Sequence, residues 1–337
     1  MSYEVSFKIT NEMVSLVASI TEKIGTIKHF ESLNKFPKLR RQNRIRSIHS
    51  SCAIEANSLS LDQVKDIING KVVFGPQKEI QEVKNAIEAY SEIDNINPFL
   101  LEDILLIHRK ITMYLVDNPG SFRKGEEGVF DAEKCIFIAP PAKYVAQHMN
   151  DLLKWLNENK NIIHPLILSS IFHYEFVFIH PFEDGNGRTA RLLQSAILGK
   201  YYPIFYWLPL ENFIKDYQEQ YYNAISKSHK EGESTKFVIF MLEMISKTLD
   251  DVSSSLAKQD SQNSIYVKKL MSVMEDDEFM TALEIMNLLK LKSKETFRKY
   301  YMNPAIENGL VRLEFPDKPT SKNQRYIKIN NLLNKEN

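Results

Sequence analysis

The sequence predicts a mainly α protein: a helical bundle carrying one short β-hairpin, followed by a small unit of helices and a hairpin. Three observations predict it. Only 11 of 337 residues are glycine, and Leu, Ile, Lys and Glu dominate, a composition that favours helix. Apolar residues recur at helical spacing along most of the chain. One internal stretch, 117–140, breaks that pattern with turn residues and a β-prone run. With 43% hydrophobic and 26% charged residues the chain can bury a sizeable core, and its length suits two or three domains at roughly 100–200 residues each.

The elements follow in order. Residues 10–34 form an amphipathic helix with Met13, Leu16, Val17, Ile20 and Ile24 on one stripe. The basic stretch Lys35–Arg46 reads as a solvated helix face rather than a nucleic-acid patch. Ser60 and Gln63 make a capping box, and Gly70 closes that helix, so 51–57 spans a helix end and a turn. Helices follow at 77–95 and 98–115. Asn118-Pro119-Gly120, Gly125, Gly128 and Cys135–Ile138 up to Pro140-Pro141 predict a hairpin or flap. Helical pattern returns at 143–157, 165–178, 188–199, 211–228 and 235–257. The polar segment 251–264 reads as a linker or a solvated helical connection. Beyond it, Thr281 with Glu284 and then Ser293 cap two helices, Asn308-Gly309 ends the second, and two strands span 310–315 and 325–329. Helix, helix, hairpin is the winged helix-turn-helix order. The expected domains are 1–95, 96–257 with the flap at 120–140, and 265–333.

Net formal charge is zero, so the whole chain is no general polyanion binder. Cys52 and Cys135 form no CxxC and no disulfide framework, which fits a reducing cytoplasm. The N-terminus carries no apolar signal core, and no run of 18 apolar residues occurs, so neither secretion nor a membrane partner is expected.

The chemistry sits in His180-Pro181-Phe182-Glu183-Asp184-Gly185-Asn186-Gly187-Arg188, with Arg191 one turn on. Pro181 ends the preceding helix at His180. Gly185 and Gly187 let the backbone turn tightly and approach a ligand. A new helix starting near Arg188 aims unpaired N–H groups into the loop, making an anion site. Arg188 and Arg191 share one side of that helix and can fork onto phosphate oxygens. Asp184 offers a hard oxygen to Mg²⁺. His180 stands ready to accept a hydroxyl proton. No Walker loop, GxGxxG or HExxH is present.

This segment resembles the Fic-family motif HPFx(D/E)GN(G/K)RxxR at every defined position. Gly120–Arg123 and Pro140-Pro141 resemble the two ends of the family's flap, His164-Pro165 and His173-Tyr174 the helix entering the loop, and Tyr221-Tyr222 a tyrosine pair in a later helix. The resemblance implies a Fic-type bundle that transfers AMP from ATP, with Mg²⁺, to a Ser, Thr or Tyr hydroxyl of a protein, self-modification included. It implies His180 as general base and Asp184 as metal ligand. The implied ATP site comprises Gly185, Asn186, Gly187, Arg188, Thr189, Ala190 and Arg191, with Tyr222. Pro181 and Phe182 are implied scaffold. Ser51-Cys52-Ala53-Ile54-Glu55 resembles the family's inhibitory helix (S/T)xxxE(G/N), except that Ala56 stands at the sixth position. The resemblance implies a Glu55–Arg191 pair, bidentate and inhibitory, and a possible homodimer. Two alternatives stand beside it: removal of AMP or transfer of another phosphate-linked group on the same loop, and a DNA-binding regulator. For the second, residues 281–329 carry ten Lys and Arg against five acids.

Overall fold

The computed structural model describes residues 5–29, 37–131, 134–275, 278–319 and 321–329. The described residues form two compact units, one within 5–29 and 38–250 and the other comprising residue 37 and those within 251–329.

In the first unit α1 (Asn11–His29), α2 (Pro37–Ile54), α3 (Leu61–Ile68), α4 (Gln77–Ser91) and α5 (Leu101–Thr112) precede a hairpin, β1 (Gly128–Asp131) and β2 (Lys134–Ile138). The strands pair antiparallel with an irregularity between Val129 and Phe130. The side chains of 129–137, Cys135 among them, lie outside the described residues. Then come α6 (Val145–Asn159), α7 (Pro165–Ile179), α8 (Asn186–Tyr201), α9 (Leu210–Asp216), α10 (Gln218–Glu231) and α11 (Thr235–Val273), of which the residues from 251 on belong to the second unit. Helix α7 is apolar on every side and almost wholly buried, as befits a helix enclosed by others. It packs beside α8 in a core that also takes Ile104 and Ile107 of α5, Val83 of α4 and Ile48 of α2.

Two details differ from the sequence reading. The single helix expected over 211–228 is two, because Tyr217 leaves helical geometry at φ −114°, ψ 36°. The helix after the loop begins at Asn186, not Arg188. Of the two alternatives for 251–264, linker or helical connection, the structure has the helix, continuous within α11.

The second unit adds β3 (Phe279–Thr281), α12 (Ala282–Leu288), α13 (Lys294–Thr296), a π turn (Phe297–Met302), α14 (Asn303–Glu307), β4 (Val311–Leu313) and β5 (Arg325–Lys328). The capping box of Thr281 and Glu284 is present. Strand β3 is too short to signal itself by alternation, and it joins the hairpin as a three-stranded antiparallel sheet of order β3-β5-β4. Leu270, Ile285, Phe297, Met302, Val311 and Tyr326 form this unit's own core. Among the described residues, no helix is long and apolar enough to cross a membrane.

Candidate active site

The loop between α7 and α8 is held by contacts from three directions. Helix α7 ends at His180, which takes the left-handed conformation at φ 51°, ψ 60°. A non-glycine residue there costs about 1–2 kcal/mol, so its surroundings must fix it. Arg123 does so. Its backbone N–H donates to Pro181 O at 2.9 Å, and its Nε donates to His180 O at 2.6 Å. The rest of the guanidinium donates to the carbonyls of Gly125, Pro140 and Ile179. One buried arginine thus ties both ends of the flap to the loop.

From α5, His108 stacks on Phe182 with centroids 3.5 Å apart and planes within 5°. Its Nδ1 accepts the Gly120 N–H at 3.0 Å, so Nε2 carries the proton and donates to Asp184 O at 2.9 Å. Burial pushes this imidazole down to about 4. From α8, the Asn186 amide closes the loop on Phe182, donating to its carbonyl at 2.7 Å and accepting its N–H at 3.0 Å. Gly185 turns the chain at φ 82°, where a Cβ would lie 2.7 Å from Thr112 Cγ2.

The two glycines therefore differ from the expectation of a shared turning role. Gly187 is in the first turn of α8 with no positive φ. A Cβ there would overlap Glu55 Oε1, so its value is the room it leaves.

The first turn of α8 leaves the N–H groups of Asn186, Gly187 and Arg188 without intrahelical partners, whereas Thr189 N–H is spent on Gly185 O. Thr189 and Ala190 have fully buried side chains. Arg188 donates through Nη2 to Asp184 Oδ1 at 2.9 Å, and its Nη1 lies 3.5 Å from Glu82 Oε1, an ion pair too long for a good hydrogen bond. Arg188 Nε and Nη1 and Arg191 Nη1 are buried without hydrogen-bond partners. Buried polar groups are rarely left unpaired, and charged ones cost most. These cationic donors beside a helix N-terminus make an anion receptor.

Glu55 meets that receptor. Its Oε1 accepts from Arg191 Nη2 at 2.8 Å. The same Nη2 also donates to Ser51 O at 2.9 Å, and Nε donates to Ser51 Oγ at 3.3 Å. The pair is one bond, not the bidentate fork expected, because Ser51 takes the other donors and Nη1 stays open. Burial works against the Arg191 charge, but the Glu55 carboxylate beside it favours that charge, and its pKa stands above the ordinary value. Glu55 itself lies just past the end of α2. The next residue, Ala56, is left-handed at φ 64°, a conformation that favours Gly or Asn. Tyr222 and Gln218 of α10 donate to Ile54 O at 3.3 and 2.9 Å, so Tyr222 contacts the end of α2.

His180 is mostly buried, and burial, the largest influence, lowers its pKa despite the carbonyl of Val177. Its Nδ1 lies 3.4 Å from Val177 O. A carbonyl only accepts, so Nδ1 carries the proton and Nε2 has the free lone pair. Asp184 Oδ1 accepts from Gly185 N–H and from Arg188, which leaves Oδ2 of a side chain 42% exposed for a cation.

The sequence reading gave no role to His108, Glu82 or Glu211, and treated Arg123 only as the end of the flap. His108 had a signal: a polar residue among Ile104, Ile107 and Ile111 on the buried side of α5.

Residues 96–198 match the Fic/DOC family, and residues 266–327 match the C-terminal domain of Fic-like proteins named for filamentation induced by cAMP. A crystal structure of a Fic family protein from Desulfovibrio desulfuricans is 40% identical, covers 97% of this chain and 98% of that one, and superposes with a TM-score of 0.73. The chain belongs to the Fic family. Among curated Fic relatives, the protein adenylyltransferase Fic of Culex quinquefasciatus is 30% identical over 69% of this chain and 49% of its own length. Protein adenylyltransferase fic-1 of Caenorhabditis elegans is 29% identical over 56% of this chain and 38% of its own. The chain thus spans less than half the length of these curated relatives. A solved structure of Caenorhabditis elegans Fic-1 shares the fold, with a TM-score of 0.61 at 24% identity and 73% coverage of both chains.

Proposed function

We propose that this Fic protein transfers AMP from ATP to a hydroxyl of a protein, and that Glu55 restrains it. The observation that carries the reading is the set of guanidinium donors without hydrogen-bond partners at the start of α8, Nε and Nη1 of Arg188 and Nη1 of Arg191, with Glu55 bonded to Arg191 beside them. Such a receptor suits a polyphosphate, and the names of the curated relatives supply the nucleotide.

In this reading the N–H groups of Asn186, Gly187 and Arg188 take phosphate oxygens, and the two arginines grip the distal phosphates. A target hydroxyl attacks the α-phosphorus and gives its proton to His180 Nε2. The bond from α-phosphorus to the bridging oxygen breaks, and pyrophosphate leaves. Because burial keeps His180 neutral, it can act as a base at neutral pH, a contribution typically of about 10²–10⁴-fold. Asp184 Oδ2 fits a divalent cation. Among the described residues no group of three His, Cys, Asp or Glu stands together, so phosphate oxygens and water would complete its shell. Bound there, Mg²⁺ supplies charge neutralisation. The flap is suited to holding the target segment by strand addition. Glu55 inhibits by taking a donor of Arg191 and by bringing negative charge to where phosphate must sit.

The test is incubation of the purified chain with labelled ATP and lysate, followed by mass spectrometry of labelled bands. Transfer should appear with Glu55→Gly and vanish with His180→Ala added. Labelled ATP that leaves no AMP on any protein, with both variants folded, would overturn the reading.

A second reading concerns residues 281–329 alone, where Lys292, Lys294, Arg298 and Lys299 at the start of the α13–α14 segment and Lys318 and Lys322 between β4 and β5 are exposed. That spread of cations suits phosphate contacts on duplex DNA. Duplex binding that weakens steeply from 50 to 200 mM salt, by roughly 10³-fold for six contacts, would support it, and no binding at low salt would remove it.

A further inference from the structure

Helix α2 has two different sides. Ile45, Ile48 and Cys52 join the apolar core. Ser47, Ser51 and Glu55 succeed one another at four-residue spacing, with Ser50 beside them, and the three serines are at most 3% exposed. Apolar contact is non-directional and tolerates rotation or sliding. Hydrogen bonds do not, so the polar side fixes the register of this helix.

Those bonds run to α9. Ser47 Oγ donates to Glu211 Oε2 at 2.8 Å, and Ser50 Oγ lies 3.4 Å from Asn212 Oδ1. Tyr90 Oη of α4 donates to the other Glu211 oxygen at 2.6 Å. One turn further along α2, Ser51 Oγ accepts from Arg191 Nε. Glu211 is 1% exposed, and its ordered partners are hydroxyls, with no arginine or lysine among the described residues bonded to it. A buried carboxylate without a directly paired cation is costly to keep, and the catalytic reading gives it no work. Its bonds place it two helical turns, roughly 12 Å, behind Glu55 on the same side of α2.

We propose that Glu211 is a positioning residue of the brake: through Ser47 it holds α2 in the register that aims Glu55 at Arg191. The proposal rests on the reading of Glu55 as an inhibitor. Helix α2 is then pinned near its middle by Glu211, at Ser51 by Arg191, and at its end by Gln218 and Tyr222 on Ile54 O. Releasing the first pin lets the helix turn on its apolar side and withdraw Glu55, while Arg191 stays in place on α8.

The experiment compares initial rates of AMP transfer by the full chain carrying Ser47→Ala, Glu211→Ala, Glu211→Gln or Glu55→Gly, and by Ser47→Ala combined with Glu55→Gly. Ser47→Ala is small and favourable in a helix, so it keeps the test open should Glu211→Ala misfold. Ser47→Ala and Glu211→Ala should each raise transfer roughly threefold to tenfold, the fold-change expected for one hydrogen bond of ordinary net strength. Glu211→Gln should stay near the wild-type rate, because its amide can still engage both hydroxyls. In the Glu55→Gly chain, Ser47→Ala should change nothing. Ser47→Ala at the wild-type rate, with Glu55→Gly raised, would overturn this proposal and leave the brake standing. A drop in transfer when Ser47→Ala is added to the Glu55→Gly chain would overturn it too, because the link would then serve Arg191 and not the brake. A flat response to Glu55→Gly itself would overturn both.

Discussion

The proposed restraint by Glu55 should be released by Gly187→Ala, with Glu55 itself left unmutated. Gly187 lies inside α8 with ordinary helical geometry, so alanine meets no backbone penalty and gains about 1 kcal/mol of helix propensity. The new Cβ overlaps Glu55 Oε1 and comes within 3.0 Å of Arg191 Nη1. Of the two neighbours, the carboxylate gives way: it ends a flexible side chain 36% exposed, whereas Arg191 is 1% exposed. Its displacement breaks the Nη2–Oε1 bond, worth about 1.5–3 kcal/mol for a charged pair, or roughly ten- to hundredfold in the braked population. A methyl group at the anion site could also hinder phosphate, and Gly187→Ala in the Glu55→Gly chain isolates that effect. The assay is initial-rate incorporation of labelled AMP by wild type, the two single variants and the double, with thermal melts of each. Gly187→Ala should raise transfer at least about tenfold with no loss of melting temperature. If it leaves transfer at or below wild type while the double variant matches Glu55→Gly, Glu55 does not hold the place of a phosphate.

Other perturbations test the remaining parts of the site. His180→Ala should abolish transfer by the Glu55→Gly chain while ATP binding, followed by calorimetry, stays largely intact. Burial depresses His180 below its ordinary 6.5, so the rate should hold constant through neutral pH and fall only below 6.5 as the imidazole takes a proton; a rate already falling at pH 7.5 would argue against it as the base. Ala56→Gly relieves a left-handed alanine and should raise the melting temperature and lower basal transfer, by up to roughly fivefold for about 1 kcal/mol; an increase in transfer would contradict this. His108 and His173 titrate at about 4 and about 3 in the fold, both lowered first by burial. Their folded values lie below the unfolded one, so their stabilisation is complete above pH 6.5 and is lost as pH falls. The loss is about 2 kcal/mol each between pH 6.5 and 5, and His108→Asn should reduce it in denaturant titrations at the two pH values.

The sequence by itself determined the helices, the hairpin, the caps at Ser60 and Thr281, and the residues of the loop from His180 to Arg191. These are local properties: periodicity, capping and turn chemistry act within a few residues, and a dense motif carries its chemistry in its own spacing. It also singled out Glu55, by its four-residue spacing from Ser51 and its likeness to the inhibitory helix. The break at Tyr217 and the short strand β3 escaped it, because neighbouring elements outweigh weak local preference in both. Tertiary structure alone decided the geometry of the pair, in which Ser51 claims donors of Arg191 and leaves Glu55 a single bond. It decided that Gly187 is kept small for a carboxylate 132 positions earlier in the sequence rather than for a turn. It alone brought Arg123, His108 and Glu211 to work on a loop and a helix remote from them in sequence. Hydrogen bonds between buried groups depend on where distant backbone segments meet to within a fraction of an ångström, and that distance is set by the packing of the whole bundle.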